Sequence, residues 1–255
     1  MSNILVFDTS SSWCSVALSA NGTLYSAAEL QPRKHAQLIM PMIDEVFSKA
    51  GIKPNELDGI AFGKGPGSFT GLRIAISVAQ GLSLATGARL YGMSSLRAAA
   101  WQAMKQKDVE HVLTIANAHM GEVFYGAYSS VASHVVDQDS PQINSQDEKR
   151  IPVIHCVIPD ALCKPESVDI SALDKQLDWF GAGDGFQFED ELPAKVMELS
   201  AIDLGIAPLA ESMMDIALLA WSEGKFTAPE YQQPVYLRDT VAWKKLSEQP
   251  SLLKK

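Results

Sequence analysis

The chain has 255 residues, 47% of them hydrophobic and 20% charged, which supplies a real core and argues against a disordered polymer. Its net charge of −9 is uneven: residues 1–105 carry 9 Lys/Arg against 6 Asp/Glu, and residues 106–255 carry 12 against 24, so a protein that grips nucleic acid alone through a basic face is not expected. Cys14, Cys156 and Cys163 make no complete disulfide framework and no Cys-x-x-Cys pair, and no stretch approaches the ~20 apolar residues that span a bilayer.

Met1–Thr9 lacks the basic start and long apolar run of a signal peptide, so a cytoplasmic location is expected. Asn3–Ser10 is a short apolar run ending in polar residues and reads as a buried strand followed by a turn. Ser15–Ala20 alternates as a second strand, Asn21-Gly22 signals a hairpin, and Thr23–Glu29 returns. A helix is expected over 36–50, from Leu38, Ile39, Met42, Ile43, Val46 and Phe47 at three- and four-residue steps. Pro41 inside it should kink it or mark where it becomes regular. Asp58–Gly63 is a strand, 70–86 a helix, Leu90–Met93 a strand and 95–105 a helix. A meander that feeds alternating strands and helices is a mixed α/β sheet with helices packed on it.

The pattern then restarts. His111–Ala116 and Glu122–Tyr128 read as paired strands around a turn at His119-Met-Gly121, which suggests a second subdomain related to the first. Residues 129–150 read as a polar loop, with 137–150 as an acidic insertion, and helices are expected over 171–176 and 208–223. The expected division is 1–105 and 106–255, with the C-terminal helix and tail packing back on the first part.

Two stretches could carry chemistry. Gly63-Lys-Gly-Pro-Gly-Ser-Phe-Thr-Gly71 lies between a strand and a helix. Its turn either holds an anion at the helix N-terminus, through Gly65, Gly67, Ser68 and Thr70, or is structural, with Ser68 or Thr70 as the cap. It is not a P-loop, which needs Gly-Lys-Ser/Thr. Asp8-Thr9-Ser10 ends the first strand, where a carboxylate and two hydroxyls could hold a metal–phosphate group or make local hydrogen bonds. The helix after the Gly-rich turn is apolar nearly all round, from Leu72 to Ala85, and Gly71, Ala75 and Ala79 form a small-residue row. Either the core or another subunit covers it. His35, His111, His119, His134 and His155 are scattered, with no spacing that makes a metal site. Ser68 does not sit in a hydrolase Gly-x-Ser-x-Gly elbow.

Ile4-Leu-Val-Phe-Asp8-Thr-Ser, His35, Gly65-Pro-Gly-Ser-Phe-Thr-Gly-Leu-Arg73, Met120-Gly-Glu-Val-Phe124, Pro234-Val-Tyr-Leu-Arg238 and Ala242-Trp-Lys-Lys-Leu246 together resemble the TsaB (YeaZ) family, and the tail is similar to that of gammaproteobacterial members. The resemblance implies the actin, Hsp70 and sugar-kinase fold (ASKHA, ribonuclease H-like), with two related subdomains. It implies a non-catalytic scaffold for making N6-threonylcarbamoyladenosine in tRNA. The partners would be the transferase subunit TsaD and TsaE, and tRNA would be met only through the complex. It implies a homodimer when alone, and pairing with TsaD through the same first-subdomain helices. Leu38, Met42, Leu72, Ile76, Ala79 and Gln80 are the residues expected at that partner surface.

In the catalytic relatives two metal-binding histidines follow the strand equivalent to Gly92-Met93; here Ser95 and Ala99 take those places. The resemblance therefore puts any metal on the partner subunit and gives this chain no cofactor of its own beyond weak ATP or ADP binding at Asp8, Thr9 and Ser68. Gly181-Ala-Gly-Asp-Gly185 is the one candidate for an adenosine loop, and it is short. Asn117-Ala-His119 departs from the Asp-Ala-Arg of many members. An ATP-dependent phosphotransferase of the same fold would need a functional adenosine loop and a base near the Gly-rich turn. A glycoprotease-like peptidase would need paired histidines or a triad.

Overall fold

The computed structural model describes residues 2–130 and 153–238; the stretch 137–150, His134 and the Ala242–Leu246 motif lie outside the described residues. In the first half, β1 (Ile4–Asp8) pairs antiparallel with β2 (Trp13–Ala20), which pairs with β3 (Thr23–Leu30). Asn21 and Gly22 take φ of 51° and 80°, the left-handed pair that a two-residue hairpin needs. β4 (Gly59–Gly65) runs parallel to β1, and β5 (Arg89–Ser94) runs parallel to β4. The sheet order is β3-β2-β1-β4-β5.

Every residue of β1 is buried, as suits a strand covered on both faces. Leu5 and Phe7 join Val16 and Leu18 in a core under α1 (His35–Ala50) and α2 (Phe69–Thr86). Ile4 and Val6 point the other way, into the central core of the molecule. α1 runs continuously through Pro41. Pro41 and Gln37, the residue whose carbonyl loses its donor, are both exposed, so water can satisfy the broken bond.

The second half repeats the first. β6 (His111–His119), β7 (Glu122–Ser130) and β8 (Ile154–Cys163) form an antiparallel meander. β9 (Trp179–Ala182) then runs parallel to β6, and β10 (Ala201–Asp203) runs parallel to β9. The order β8-β7-β6-β9-β10 matches the first sheet strand for strand. The helices do not repeat as fully. Among the described residues, only α4 (Ala194–Met197) and short turns cover the outer face of this sheet. The helix expected over 171–176 is replaced by turns. The carboxylates of Asp169 and Asp174 accept from the backbone N–H of Ser171 (2.8 Å) and Gln176 (2.9 Å), a local closure that competes with a helix.

α3 (Ser95–Lys107) follows β5, and α5 (Ala210–Ser222) occupies the equivalent place after β10. They cross over: α3 packs on the second sheet, α5 packs on the first, and the two touch. Their shared core joins Ile4, Val6 and Ala61 to Trp101, Met104, Met213 and Ala217, and to Val112, Phe124 and Phe180 of the second sheet. Trp101 Nε1 and Lys105 Nζ both donate to Asp215 Oδ2, at 3.1 and 2.7 Å, and pin the helix pair at one end. Among the described residues no helix is long and apolar enough to cross a membrane.

Candidate ligand cleft and partner face

Beside the start of α3, the two halves leave a cleft of about 880 Å³. From the first half its wall takes Ser10–Trp13, Arg33, His35, and Pro66, Gly67, Ser68, Thr70 and Gly71 of the Gly-rich turn. From the second half it takes Thr114–Asn117, His119, Gly183 and Asp184. Ser95 and Ala99 of α3 also lie on the wall. Neither side chain can coordinate a metal as an imidazole does. Among the described residues no three His, Cys, Asp or Glu side chains come together as a metal site would require.

The structure brings Asp8-Thr9-Ser10 and the Gly-rich turn together, but largely against each other. Ser68 N–H donates to the Ser10 carbonyl at 2.8 Å, and Thr9 Oγ1 donates to the Gly71 carbonyl at 2.8 Å. Ser68 Oγ accepts from Gly71 N–H at 3.3 Å, so Ser68 is the α2 cap. Ser10, Gly67, Ser68 and Thr70 reach the cleft wall. Asp8, Thr9 and Gly65 do not reach it. Asp8 and Thr9 are fully buried, and a Cβ on Gly65 would stand 2.7 Å from the Val235 carbonyl, so that glycine makes room for the tail and not for a ligand.

Asp8 is sealed in a tight space. Its Oδ1 accepts from the backbone N–H and the hydroxyl of Ser10, both at 2.8 Å, while Oδ2 has no partner. Burial pushes its carboxyl up to about 7, against the smaller downward pull of the Ser10 bonds. Ser95 Oγ is likewise buried and unpartnered; Oδ2 and this oxygen lie 1.8 and 3.3 Å from the point where a Gly63 Cβ would be. The same burial effect lifts the nearby Cys14 thiol to about 12, so it is held as an unreactive thiol. These residues fit a nucleotide only in part. Hydroxyls at Ser10, Ser11, Ser68 and Thr70 and the Arg33 side chain could meet phosphate oxygens. The carboxylate expected to hold a metal–phosphate group cannot reach the wall.

Most of the residues expected at the partner surface face inward. Met42, Ile76 and Ala79 are 4%, 8% and 0% exposed and belong to the core beneath the helices, and Leu72 is 1% exposed. Leu38 is half-buried against that core, and Gln80 donates to the Pro229 and Gln232 carbonyls. The outward face of α1 and α2 is one step round each helix. It is a groove of about 460 Å³ walled by Met40, Phe69, Arg73, Ile74, Ser77 and Val78. Met40 and Phe69 are 42% and 52% exposed there. The Gly71, Ala75 and Ala79 row faces inward, so the chain's own core covers it.

The TsaD family model, described as tRNA N6-adenosine threonylcarbamoyltransferase, matches residues 27–246. The tRNA threonylcarbamoyladenosine biosynthesis protein TsaB of Escherichia coli is 36% identical over 243 residues, covering 95% of this chain and 97% of that protein. The chain belongs to the TsaB family. The TsaB protein of Haemophilus influenzae is 32% identical over 95% of this chain and 96% of its own length. The solved structure of YeaZ from Pseudomonas aeruginosa superposes with a TM-score of 0.81 at 34% identity, over 93% of this chain and all of that one. The likeness to TsaB thus spans both sheets.

Tyr236 and Arg238 were visible in the sequence as part of the family tail, but their contacts were not. Arg73 Nε donates to Tyr236 OH at 3.3 Å, its guanidinium lies 3.6 Å over the Phe69 ring, and Arg238 pairs with Glu122. No local pattern predicts the Arg73–Tyr236 and Arg238–Glu122 pairs, because they join residues more than 110 positions apart.

Proposed function

We propose that this chain is the non-catalytic subunit of the machinery that makes N6-threonylcarbamoyladenosine in tRNA. It holds the transferase subunit TsaD on the outward face of α1 and α2, while TsaE and tRNA join through the complex. Alone, the chain pairs with a second copy through the same face. It works in the cytoplasm and has no metal of its own; ATP or ADP is held weakly, by the hydroxyls of Ser10, Ser68 and Thr70.

The observation that carries this reading is the cleft wall, where Ser95 and Ala99 stand and the carboxylate that ends β1, Asp8, is sealed behind it. A wall of this kind offers hydroxyls but no metal ligands at those two places. The full-length likeness to TsaB proteins supports the pathway. A phosphotransferase is the weaker reading, because it would need that carboxylate on the wall. The exposed apolar groove supports the partner face, since such a surface beside polar helix positions marks an interaction site.

The test is a Met40→Glu, Ser77→Glu double variant. Both residues line the groove and both are exposed, so the chain should fold as before. Calorimetric titration into purified TsaD should show affinity lowered by roughly a hundredfold, because two unpaired charges would be buried at the contact. Unchanged affinity would remove this face from the account.

A further inference from the structure

The segment after α5 does not simply trail away. Thr227 N–H and carbonyl bond to the Leu90 carbonyl and N–H, each at 2.8 Å, and extend the first sheet at β5. Gln232 fixes the next bend: its amide oxygen accepts from Gly92 N–H at 2.9 Å, and its amide nitrogen donates to Thr227 Oγ1 at 2.7 Å. Val235 N–H donates to the Lys64 carbonyl at 2.8 Å. Tyr236 then meets the start of α2, with its ring 5.3 Å from Phe69 and its hydroxyl on Arg73. Two residues later Arg238 reaches the β6–β7 turn, donating to the Ala118 carbonyl at 3.1 Å, to the His119 carbonyl at 3.4 Å and to Glu122.

These last two anchors stand on opposite lips of the cleft. Pro66, Gly67, Ser68 and Thr70 line it on one side, Asn117 and His119 on the other. The turn that carries His119 also needs holding, for His119 and Met120 both take positive φ, 59° and 58°, which side chains other than glycine rarely adopt. Arg238 binds the carbonyls on the entry side of that turn.

We propose that residues 226–238 form a clasp that holds the two lips of the cleft at a fixed opening, with Arg238 as the positioning residue for His119. Tyr236 and Arg238 are two residues apart, a reach of about 7 Å at full extension. The lips cannot separate further without releasing the Tyr236 stack or the Arg238 fork. Phe69 and Arg73 also wall the groove between α1 and α2, so the clasp ties that groove to the cleft.

Hydrogen–deuterium exchange on the full chain tests this with Tyr236→Ala, Arg238→Ala and Arg238→Lys. Either alanine variant should speed exchange roughly tenfold at both lips, over residues 66–73 and 114–122, since the tie between the lips runs through both anchors. Exchange over 39–47, within α1, should stay unchanged and serves as the fold check. Arg238→Lys keeps the charge beside Glu122 but loses the fork, and should give a smaller rise at both lips; it decides the matter if an alanine variant alters 39–47. The proposal is overturned if each variant speeds only its own lip, or if neither lip changes.

Discussion

Replacing Gly71 by alanine should destabilise the fold by at least about 3 kcal/mol, through a clash that no side-chain movement can relieve. A Cβ there would stand 1.8 Å from the Thr9 carbonyl oxygen and 2.9 Å from its carbon. Both are backbone atoms of the turn on which α2 is docked, and Thr9 Oγ1 donates to the Gly71 carbonyl in the same contact. To accommodate the methyl, α2 would have to lift off the turn after β1 and loosen Leu72 and Ala75, which are buried. Gly81, in the same helix, is the control. It is exposed, with nothing within 4 Å of an added Cβ. Gly81→Ala should stabilise by about 0.5–1 kcal/mol, because glycine loses more backbone freedom on entering a helix. Urea unfolding measures both; an unchanged midpoint for Gly71→Ala would mean that the contact can relax.

Stability should fall as pH rises from about 4 to 7, and Asp8→Asn should remove much of that fall. The folded chain keeps the Asp8 proton up to about 7, whereas an ordinary aspartate releases it near 3.8. Between those values the folded state binds the extra proton. The contribution is complete below the lower value and is lost as pH rises through the upper one. The difference spans roughly 3 pH units, an upper limit of about 4 kcal/mol. Asparagine can keep both Ser10 bonds on its amide oxygen and never ionises, but it leaves an amide N–H₂ where Oδ2 has no partner. At pH 8.5 the variant should therefore be more stable than wild type by about 1–3 kcal/mol, and at pH 5 equal or slightly weaker. Thermal unfolding across pH measures this. Parallel profiles for the two proteins would mean that Asp8 ionises normally.

The first sheet was legible because its signals are local. A continuous apolar run makes β1, Asn21-Gly22 makes the hairpin, and the 3.6-residue stripe of Ile39, Ile43, Val46 and Phe47 makes α1. The second sheet was legible only where long strands pair across a tight turn, as β6 and β7 do. β8 is an edge strand of mixed burial, and β9 and β10 have four and three residues, too few to show a period. The Gly-rich turn was found, but its purpose depends on what lies 60 residues away. Periodicity shows which residues share a stripe, not what covers it. On a helix as apolar as α2, the buried stripe of Leu72, Ile76 and Ala79 resembles a partner face, and the actual outward stripe runs through Arg73 and Ser77. A glutamate at Leu72 or Ile76 would therefore test the core and not the interface.

Reconstitution of the tRNA modification tests the central claim most directly. Purified TsaD, TsaE and the enzyme that makes threonylcarbamoyl-adenylate would be combined with tRNA, with and without this chain, and the chain alone assayed for ATP turnover. The account predicts modification only when the chain is present and no turnover by the chain alone. Equal modification without it, or ATP turnover with a small acceptor by the chain alone, would contradict the account.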